Sequence, residues 1–443
     1  MINQIFSDIS NFLWSTPLVV VITLTGLYLM IRSNFFAYKN IKSSLKLMTV
    51  KNNDHQKIST FQALASGLSA TIGMGNIAGV AVAIVKGGPG ALFWMWISGL
   101  IGINLKFFET ASAIVAREEK QGIFYGGAMY TIKKYNQSKM GKFLSVAFAL
   151  CGLVGTLSMF QVNQLATLVE KNFAIPHFVI GVIFSILVIS VIAGGYKRIG
   201  KITAILVPVM CVTYIMSCGF IIINNFHNIL PVINLIFKSA FSFESITYGV
   251  IGYSIKEAIN HGFKRATFSN ESGLGTTPLA HTDSSVEDPI NEGLVAMIGV
   301  VIDTHIICSL TALAILTSGA SVNETANLTG IELVSKIFEI NFGYAGQYVL
   351  MLSVVLFSFT TMVGMANYNH KCWVYFFGDT KKSKQIHNGY YMITIFLGAI
   401  VAPALIIDIL DISYALMLIP NLYAVKLTYP EIKKLIEQKN AKK

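Results

Sequence analysis

The stretch SATIGMGNIAG, residues 69–79, lies inside an apolar run that reads as a membrane helix over 60–86. Gly73, Gly75, Gly79 and Asn76 stand where a spanning helix would carry leucine. Gly73 and Gly75 each cost about 1 kcal/mol in a helix relative to alanine. Three readings compete. GMGNIA, residues 73–78, fits the GxGxxG/A dinucleotide fingerprint, but no strand precedes it, and apolar residues 93–95 stand where that motif needs an acid. Gly75 and Gly79 also form a GxxxG, the small-residue pattern that lets two helices approach. The third reading is a discontinuous helix. Unwound backbone at membrane depth survives only within protein or beside a cavity. Its freed N–H groups suit a carboxylate and its freed carbonyls a cation.

The rest of the chain supplies the membrane. Of 443 residues, 54% are hydrophobic and 12% charged, against about 25% charged in soluble domains. So few charges imply many spans rather than a water-facing surface. The net charge of +11 then reflects lysines in cytoplasmic loops, not nucleic-acid binding. Cys151, Cys211, Cys218, Cys308 and Cys372 form no CxxC pair and read as packing residues rather than disulfides or metal ligands. The opening MINQIFSDISNFLW lacks a basic n-region, and no cleavage site follows the apolar stretch 14–31, so the first helix is expected to be retained.

Segments of about 20 mostly apolar residues give eleven candidate spans: 11–33, 60–86, 90–116, 142–170, 177–195, 200–223, 262–284, 291–318, 343–377, 387–406 and 409–427. The seventh is polar. The amphipathic stretch 228–261 before it reads as outer-surface helices or as part of that span. Arg32, Lys39, Lys42, Lys46, Lys51 and Lys57 follow the first helix, which puts this loop in the cytoplasm and the N-terminus outside. Lys133, Lys134, Lys139 and Lys142, then Lys197, Arg198 and Lys201, then Lys381, Lys382 and Lys384 with the tail KKLIEQKNAKK, fall on the same side. A multi-pass protein of the plasma (inner) membrane with a cytoplasmic C-terminus is expected. Lys264 and Arg265 fit badly at the head of the seventh span.

A carrier built on one broken helix should have a second interruption in a matching place. FSNESGLGTTP, residues 268–278, supplies it. The chain then divides into an N-terminal helix with its basic loop (1–57), a first five-helix repeat (58–227), an outer amphipathic segment with a second five-helix repeat (228–427), and a basic tail (428–443). The halves share no evident residue-level identity.

Asp303, in VVIDTHIICSL, lies near the middle of the eighth span. A carboxylate there costs about 2.5–3.5 kcal/mol on insertion scales, so a partner is expected: sodium, a proton, His305 or a lysine. Asp303 and His305 are two apart and do not share a helix face. Thr304 and Asn76 complete a candidate second cation or proton site. Glu271 reads as a helix N-cap, as a partner for Lys264 or Arg265, or as a proton carrier. Lys106 and Glu109, three apart near the inner end of their helix, read as a structural pair. No HExxH or GxSxG is present, and His281 and Asp283 in AHTDSS lack a nucleophile partner, so an enzyme is disfavoured.

GMGNIAGVAVAIVKGGPGALFWMWISGLIG (73–102), YGGAMYTIKK (125–134), GFKRATFSNESGLGTTPLAH (262–281), GLVAMIGVVIDT (293–304) and CSLTALAILTSG (308–319) resemble the sodium:alanine symporter family, the alanine or glycine:cation symporters. The resemblance runs from about residue 61 to 378 and on towards 426. It implies an all-α multi-spanning membrane protein of about 11 transmembrane helices, a LeuT-like 5+5 inverted repeat preceded by one extra helix. It also implies alternating access, Na+ as coupling ion, no resident cofactor, and a small neutral amino acid of the alanine/glycine type as cargo.

The same resemblance implies sites. Backbone at Gly73, Met74 and Gly75, with Thr71 and Asn76, would hold the amino acid. Gln161, in SMFQVNQLA, would face it, while Asn163 and Gln164 read as interhelical contacts. Ser269 and Asn270 would contribute from the second interruption, with Phe268 an apolar wall. For sodium, a hard cation that wants oxygen, the candidates are carbonyls of Ser69, Ile72 and Phe357 with Thr360 and Thr361 of FSFTTMVG. Alone, the two threonines would read as bonding back to their own helix. The family usually carries a tryptophan and a tyrosine-rich segment next; here stands MANYNHKC (365–372). Met365 gives a more adaptable wall, which keeps a larger neutral amino acid open. A proton-coupled carrier using Asp303 or Glu271 is the close rival, and a channel a more distant one.

Overall fold

The structure, a computed structural model, describes residues 2–48, 59–120, 123–241, 246–248, 251–286, 288–320 and 328–441. Lys51, Lys57 and the boundary at 57/58 lie outside them. The N-terminal part is α1 (Ile2–Leu13), α2 (Thr16–Arg32), α3 (Phe36–Lys39) and α4 (Ile41–Leu47). The candidate first span is therefore a helix pair meeting at Trp14–Ser15, where Pro17 sits in the first turn of α2 and suits a helix start.

The second candidate span is broken as expected. α5 (Thr60–Thr71) opens on a capping box between Ser59 and Gln62. A π-helical segment (Gly75–Gly79) then leads into α6 (Val80–Gly87), and the two parts are bent by 51°. There follow α7 (Gly90–Val115), the hairpin β1–β2 (Glu118–Lys120, Ile123–Tyr125), α8 (Ala128–Tyr135), α9 (Lys139–Gly155), α10 (Met159–Phe173), α11 (His177–Ile192) and α12 (Gly195–Asn224). The candidate fourth span is interrupted between α9 and α10.

The stretch 228–261 is mixed: α13 (Ile229–Phe241), the hairpin β3–β4 (Ile246–Tyr248, Ile251–Tyr253) and the opening of α14 (Ile255–Asn270). The seventh span thus begins at Ile255 rather than at 262. Its start is set by a second capping box: Ser254 Oγ accepts from Glu257 N at 3.2 Å and Glu257 Oε2 accepts from Ser254 N at 2.8 Å. It is also broken, resuming only as α15 (Thr277–His281). Then come α16 (Pro289–Val300), a second π-helical segment (Val301–Cys308), α17 (Ser309–Thr317), α18 (Gly330–Phe342), α19 (Gly346–Phe377), α20 (Lys381–Ile400) and α21 (Pro403–Ala441). α21 passes residue 427 without ending, so the basic tail is helical as far as Ala441.

Among the described residues, seven stretches are long and apolar enough to cross a membrane: 3–32, 90–115, 139–173, 195–224, 289–317, 330–377 and 403–441, with the bent pair 60–87 an eighth. The other candidates, 177–195, 262–284 and 387–406, are shorter or more polar. α11 has 16 residues, α14 carries Lys256, Lys264 and Arg265, and α20 opens on Lys381, Lys382 and Lys384. Outward faces are apolar: Leu24, Phe143, Leu150, Ile205, Met216 and Ile223 are all exposed. Large apolar side chains exposed on so many helices suit lipid, not water.

Within lipid, helices associate through close packing rather than a hydrophobic drive. α7 and α14 illustrate this. A Cβ on Gly262 would come within 2.7 Å of Ala91 O and Trp94 Cβ, so any larger residue would push the two backbones apart. Trp94 Nε1 in turn donates to Ala240 O at 3.1 Å, fastening α13 to the same helix.

Candidate functional site

The first break starts where α5 gives way to extended backbone at Ile72 (φ −78°, ψ 95°). Gly73 is required by proximity: a Cβ there would overlap Thr361 Oγ1. One on Gly75 would press on the Phe268 ring at 3.2 Å, whereas one on Gly79 would meet nothing nearer than Met74 O at 3.9 Å. Gly79 therefore serves no close helix contact, and the GxxxG reading does not describe this segment. Asn76 ties the break together. Its N–H donates to Gly73 O at 3.1 Å, and its Oδ1 accepts from Gly73 N at 2.8 Å. Gly73 N–H is thus already engaged, which corrects the expectation that it is a free donor.

The second π-helical segment faces the first. Its wider turn favours i→i+5 neighbours, and Asp303 and Cys308 accordingly lie on one side. Asp303 is completely buried. It accepts from Asn76 Nδ2 at 2.6 Å, from Ser269 Oγ at 3.0 and 2.9 Å, and from Thr304 Oγ1 at 2.9 Å. Asn270 Nδ2 donates to Thr304 Oγ1 at 2.9 Å, and Cys308 Sγ lies 3.4 Å from Asn76 Nδ2 and 3.3 Å from Ser269 Oγ. The Asn76 amide can satisfy both Gly73 and Asp303 in only one orientation. Every donor to Asp303 is neutral, and among the described residues no basic side chain forms an ion pair with it. Neither His305 nor a lysine bonds to it directly. His305 Nε2 instead lies against α7, 2.9 Å from where a Cβ on Gly99 would stand.

The second break is filled by the protein itself. Gly273 (φ +84°) and Gly275 (φ +77°) take left-handed turns that favour glycine. Their N–H groups donate to Glu109 Oε2 at 3.0 and 3.1 Å, joined by Asn421 Nδ2 at 2.8 Å. Lys106 Nζ lies 3.0 Å from Glu109 Oε1 and donates to Glu271 O at 3.0 Å and Thr277 Oγ1 at 2.8 Å. The Lys106–Glu109 pair is structural, and what it holds is the second interruption. Glu271 is a C-cap residue of α14 (φ 55°), not an N-cap, and accepts from the hydroxyls of Thr276 at 2.6 Å and Thr277 at 3.2 Å. Nor does it pair with Lys264 or Arg265. Both reach Asp411 of α21, at 2.8 and 2.5 Å. Sequence reasoning passed over Asp411, although an acid in an apolar span is itself a signal.

The proposed sodium ligands divide. Thr361 Oγ1 donates across helices to Ile72 O at 3.2 Å. Thr360 Oγ1 bonds back to Leu356 O at 2.8 Å and Phe357 O at 3.1 Å and touches Met210 Sδ of α12 at 3.1 Å, away from the first break. Ser69 lies against α19, because a Cβ on Gly364 would overlap its Oγ; that Oγ donates to Ser66 O at 2.8 Å. The structure therefore joins Thr361 to Ile72 O and sets Ser69 against α19, while Thr360 and Phe357 share a turn of α19.

Of the proposed amino-acid contacts, Phe268 packs edge-on to Phe160 (centroids 5.5 Å) and against Tyr414 (5.5 Å). Met74 is fully buried, and Met365 is buried about one turn beyond Thr361. Gln161 is buried with no partner for its Oε1. Asn163 donates to Gly398 O and Val401 O at 3.2 and 2.9 Å, and Gln164 Oε1 accepts from Ile331 N at 3.3 Å, so both bind neighbouring helices. Thr71 Oγ1 bonds back to Gly67 O at 3.2 Å. Further along α19 a cavity of about 280 Å³ opens beside Asn367 and Lys371. There Asp283 holds Lys371 Nζ at 2.6 Å and Asn367 Nδ2 at 3.2 Å.

The chain as a whole is also similar to known proteins. The sequence profile of the sodium:alanine symporter family matches residues 1–443. The sodium/alanine symporter AgcS of Methanococcus maripaludis is 35% identical over 433 residues, 96% of this chain and 94% of its own. The "Probable sodium/glutamine symporter GlnT" of Bacillus subtilis is 31% identical over 451 residues, 100% of this chain and 92% of its own. In fold, the chain is similar to the crystal structure of MhsT in complex with L-phenylalanine, with a TM-score of 0.59 and 15% identity over 85% of this chain and 90% of that one.

Proposed function

Because the chain belongs to the sodium:alanine symporter family, we propose that it imports a small neutral amino acid by alternating access, driven by sodium. The observation that carries this reading is the buried Asp303 carboxylate, which has only neutral donors and is bonded directly to the first break. A buried charge with no directly bonded counter-charge is costly, and a monovalent cation beside Asp303, Asn76, Ser269 and Thr304 would offset it. A second sodium would sit between Ser69, Ile72 and Thr361, with Phe357 and Thr360 on its far side. The amino acid would lie next to them, its carboxylate on the Met74 and Gly75 amides and its side chain among Phe268, Gln161, Asn270 and Met365.

In this reading the 5+5 repeat follows the N-terminal helix, about 11 spans cross the bilayer, the N-terminus is outside and the C-terminus cytoplasmic. Sodium fixes Asn76 and so the shape of the break; the amino acid then binds, and one bundle rocks against the rest. The ion can drive this only by binding one state more tightly than the other.

The test is uptake into liposomes holding the purified protein. An inward sodium gradient should accumulate alanine or glycine, and uptake unchanged on replacing sodium by potassium would remove the sodium claim. Proton coupling is the second reading, since a proton would neutralise Asp303 equally well; uptake under a pH gradient without sodium distinguishes it. A larger neutral cargo is supported by Met365 and by the likeness to GlnT, so glutamine belongs in the panel.

A further inference from the structure

α2 and the middle of α21 face each other across a groove of about 560 Å³ on the outer face of the molecule. Its walls are apolar: Val21, Leu24, Leu29, Ile419, Leu422 and Val425. At one end its character changes. The Tyr28 and Tyr429 rings meet there with centroids 6.1 Å apart, the Arg32 guanidinium stands 5.7 Å from the Tyr28 centroid, and Lys426 lines the same end. Arg32 and Lys426 are both exposed, and neither forms an ion pair with an acid among the described residues.

From Val21 to Tyr28 the helix rises about 10 Å, comparable to roughly eight methylenes of an extended chain. Both walls belong to stretches long and apolar enough to cross a membrane, so the occupant must be apolar along the groove. Tyrosines and cations mark the level where hydrocarbon meets headgroups. Basic clusters between helices at that level select anionic headgroups. An apolar slot capped by two cations without acidic partners is complementary to one molecule class present in any membrane. We propose that this groove binds one anionic phospholipid, with an acyl chain between α2 and α21 and its phosphate on Arg32 and Lys426.

The test is native mass spectrometry of the full-length protein released from detergent with phosphatidylglycerol or phosphatidylcholine added. One phosphatidylglycerol should be retained with a preference of about tenfold or more over phosphatidylcholine. The double variant Arg32→Gln/Lys426→Gln should reduce the preference to about threefold or less. Thr25→Trp, which fills the groove and keeps both cations in the sequence, should abolish retention of either lipid. Equal retention of the two lipids by the parent protein would overturn the proposal. So would a preference untouched by both variants, or light scattering showing a dimer that Thr25→Trp turns into a monomer while lipid retention stays the same.

Discussion

Asn76 and Asp303 stand 227 positions apart in the chain, yet the amide of one donates to the carboxylate of the other at 2.6 Å in complete burial. Each belongs to a π-helical segment inside an otherwise α-helical span, the kind of local bulge that recurs at functional sites. The contact makes the conformation of the first break depend on the charge of a side chain on another helix.

Replacing Asp303 with asparagine separates ion binding from folding. The change is nearly isosteric and removes a mid-membrane charge, which costs about 2.5–3.5 kcal/mol on insertion scales. Thermal unfolding in detergent should therefore show a midpoint equal to or above the parent's. Sodium-dependent binding of the amino acid should weaken by at least roughly tenfold, as expected for losing a charged ligand. A variant that keeps the parent's sodium dependence would show that Asp303 does not hold the ion.

Thr360 and Thr361 are adjacent but unequal. Only Thr361 reaches the first break, through Ile72 O, while Thr360 bonds its own turn. Thr361→Val should raise the sodium concentration needed for half-maximal uptake by about tenfold or more, the scale of one charge-assisted contact. Thr360→Val should change it by less than about threefold. Titration of uptake against sodium for the two variants checks this, and equal effects would count against a site at Ile72.

Gly73→Ala should abolish uptake, because its Cβ overlaps Thr361 Oγ1. Combining it with Thr361→Ala removes the overlap without restoring the hydroxyl. The double variant should then be more stable than the two single effects sum to, by about 0.5–3 kcal/mol, the range for residues in contact, while remaining inactive. Additive stabilities would mean that the backbone relaxes around the new methyl.

Glu109→Gln tests the second break. The substitution leaves Lys106 buried without its counter-charge and weakens the acceptor for Gly273 N and Gly275 N. Breaking a buried pair in this way costs about 3–5 kcal/mol, so the unfolding midpoint should fall sharply. Folded protein that remains should still bind the amino acid, since Glu109 touches none of the residues at the first break. A loss of binding at full stability would instead place Glu109 at the cargo site.

The first break was legible because its signal is local: glycines and one asparagine in a span that should hold neither. The second was legible for the same reason, but its start was not. Lys264 and Arg265 look unfit for a membrane until Asp411, which lies 146 positions from Arg265 in the sequence, is seen to hold both. Asp303 stood out by its burial cost, and Asn76 and Thr304 were named beside it, whereas Ser269 and Cys308 were not tied to it. In an α-helix Asp303 and Cys308 occupy different faces, and only the π turn aligns them beside Asn76 and Ser269. Thr360 and Thr361 could not be ranked from sequence, because one residue's rotation about the helix decides which hydroxyl crosses to Ile72.

The Glu109 carboxylate seated on the Gly273 and Gly275 amides makes the two broken helices unlike in kind. One berth already holds a permanent passenger supplied by the chain itself, so no travelling anion can board there.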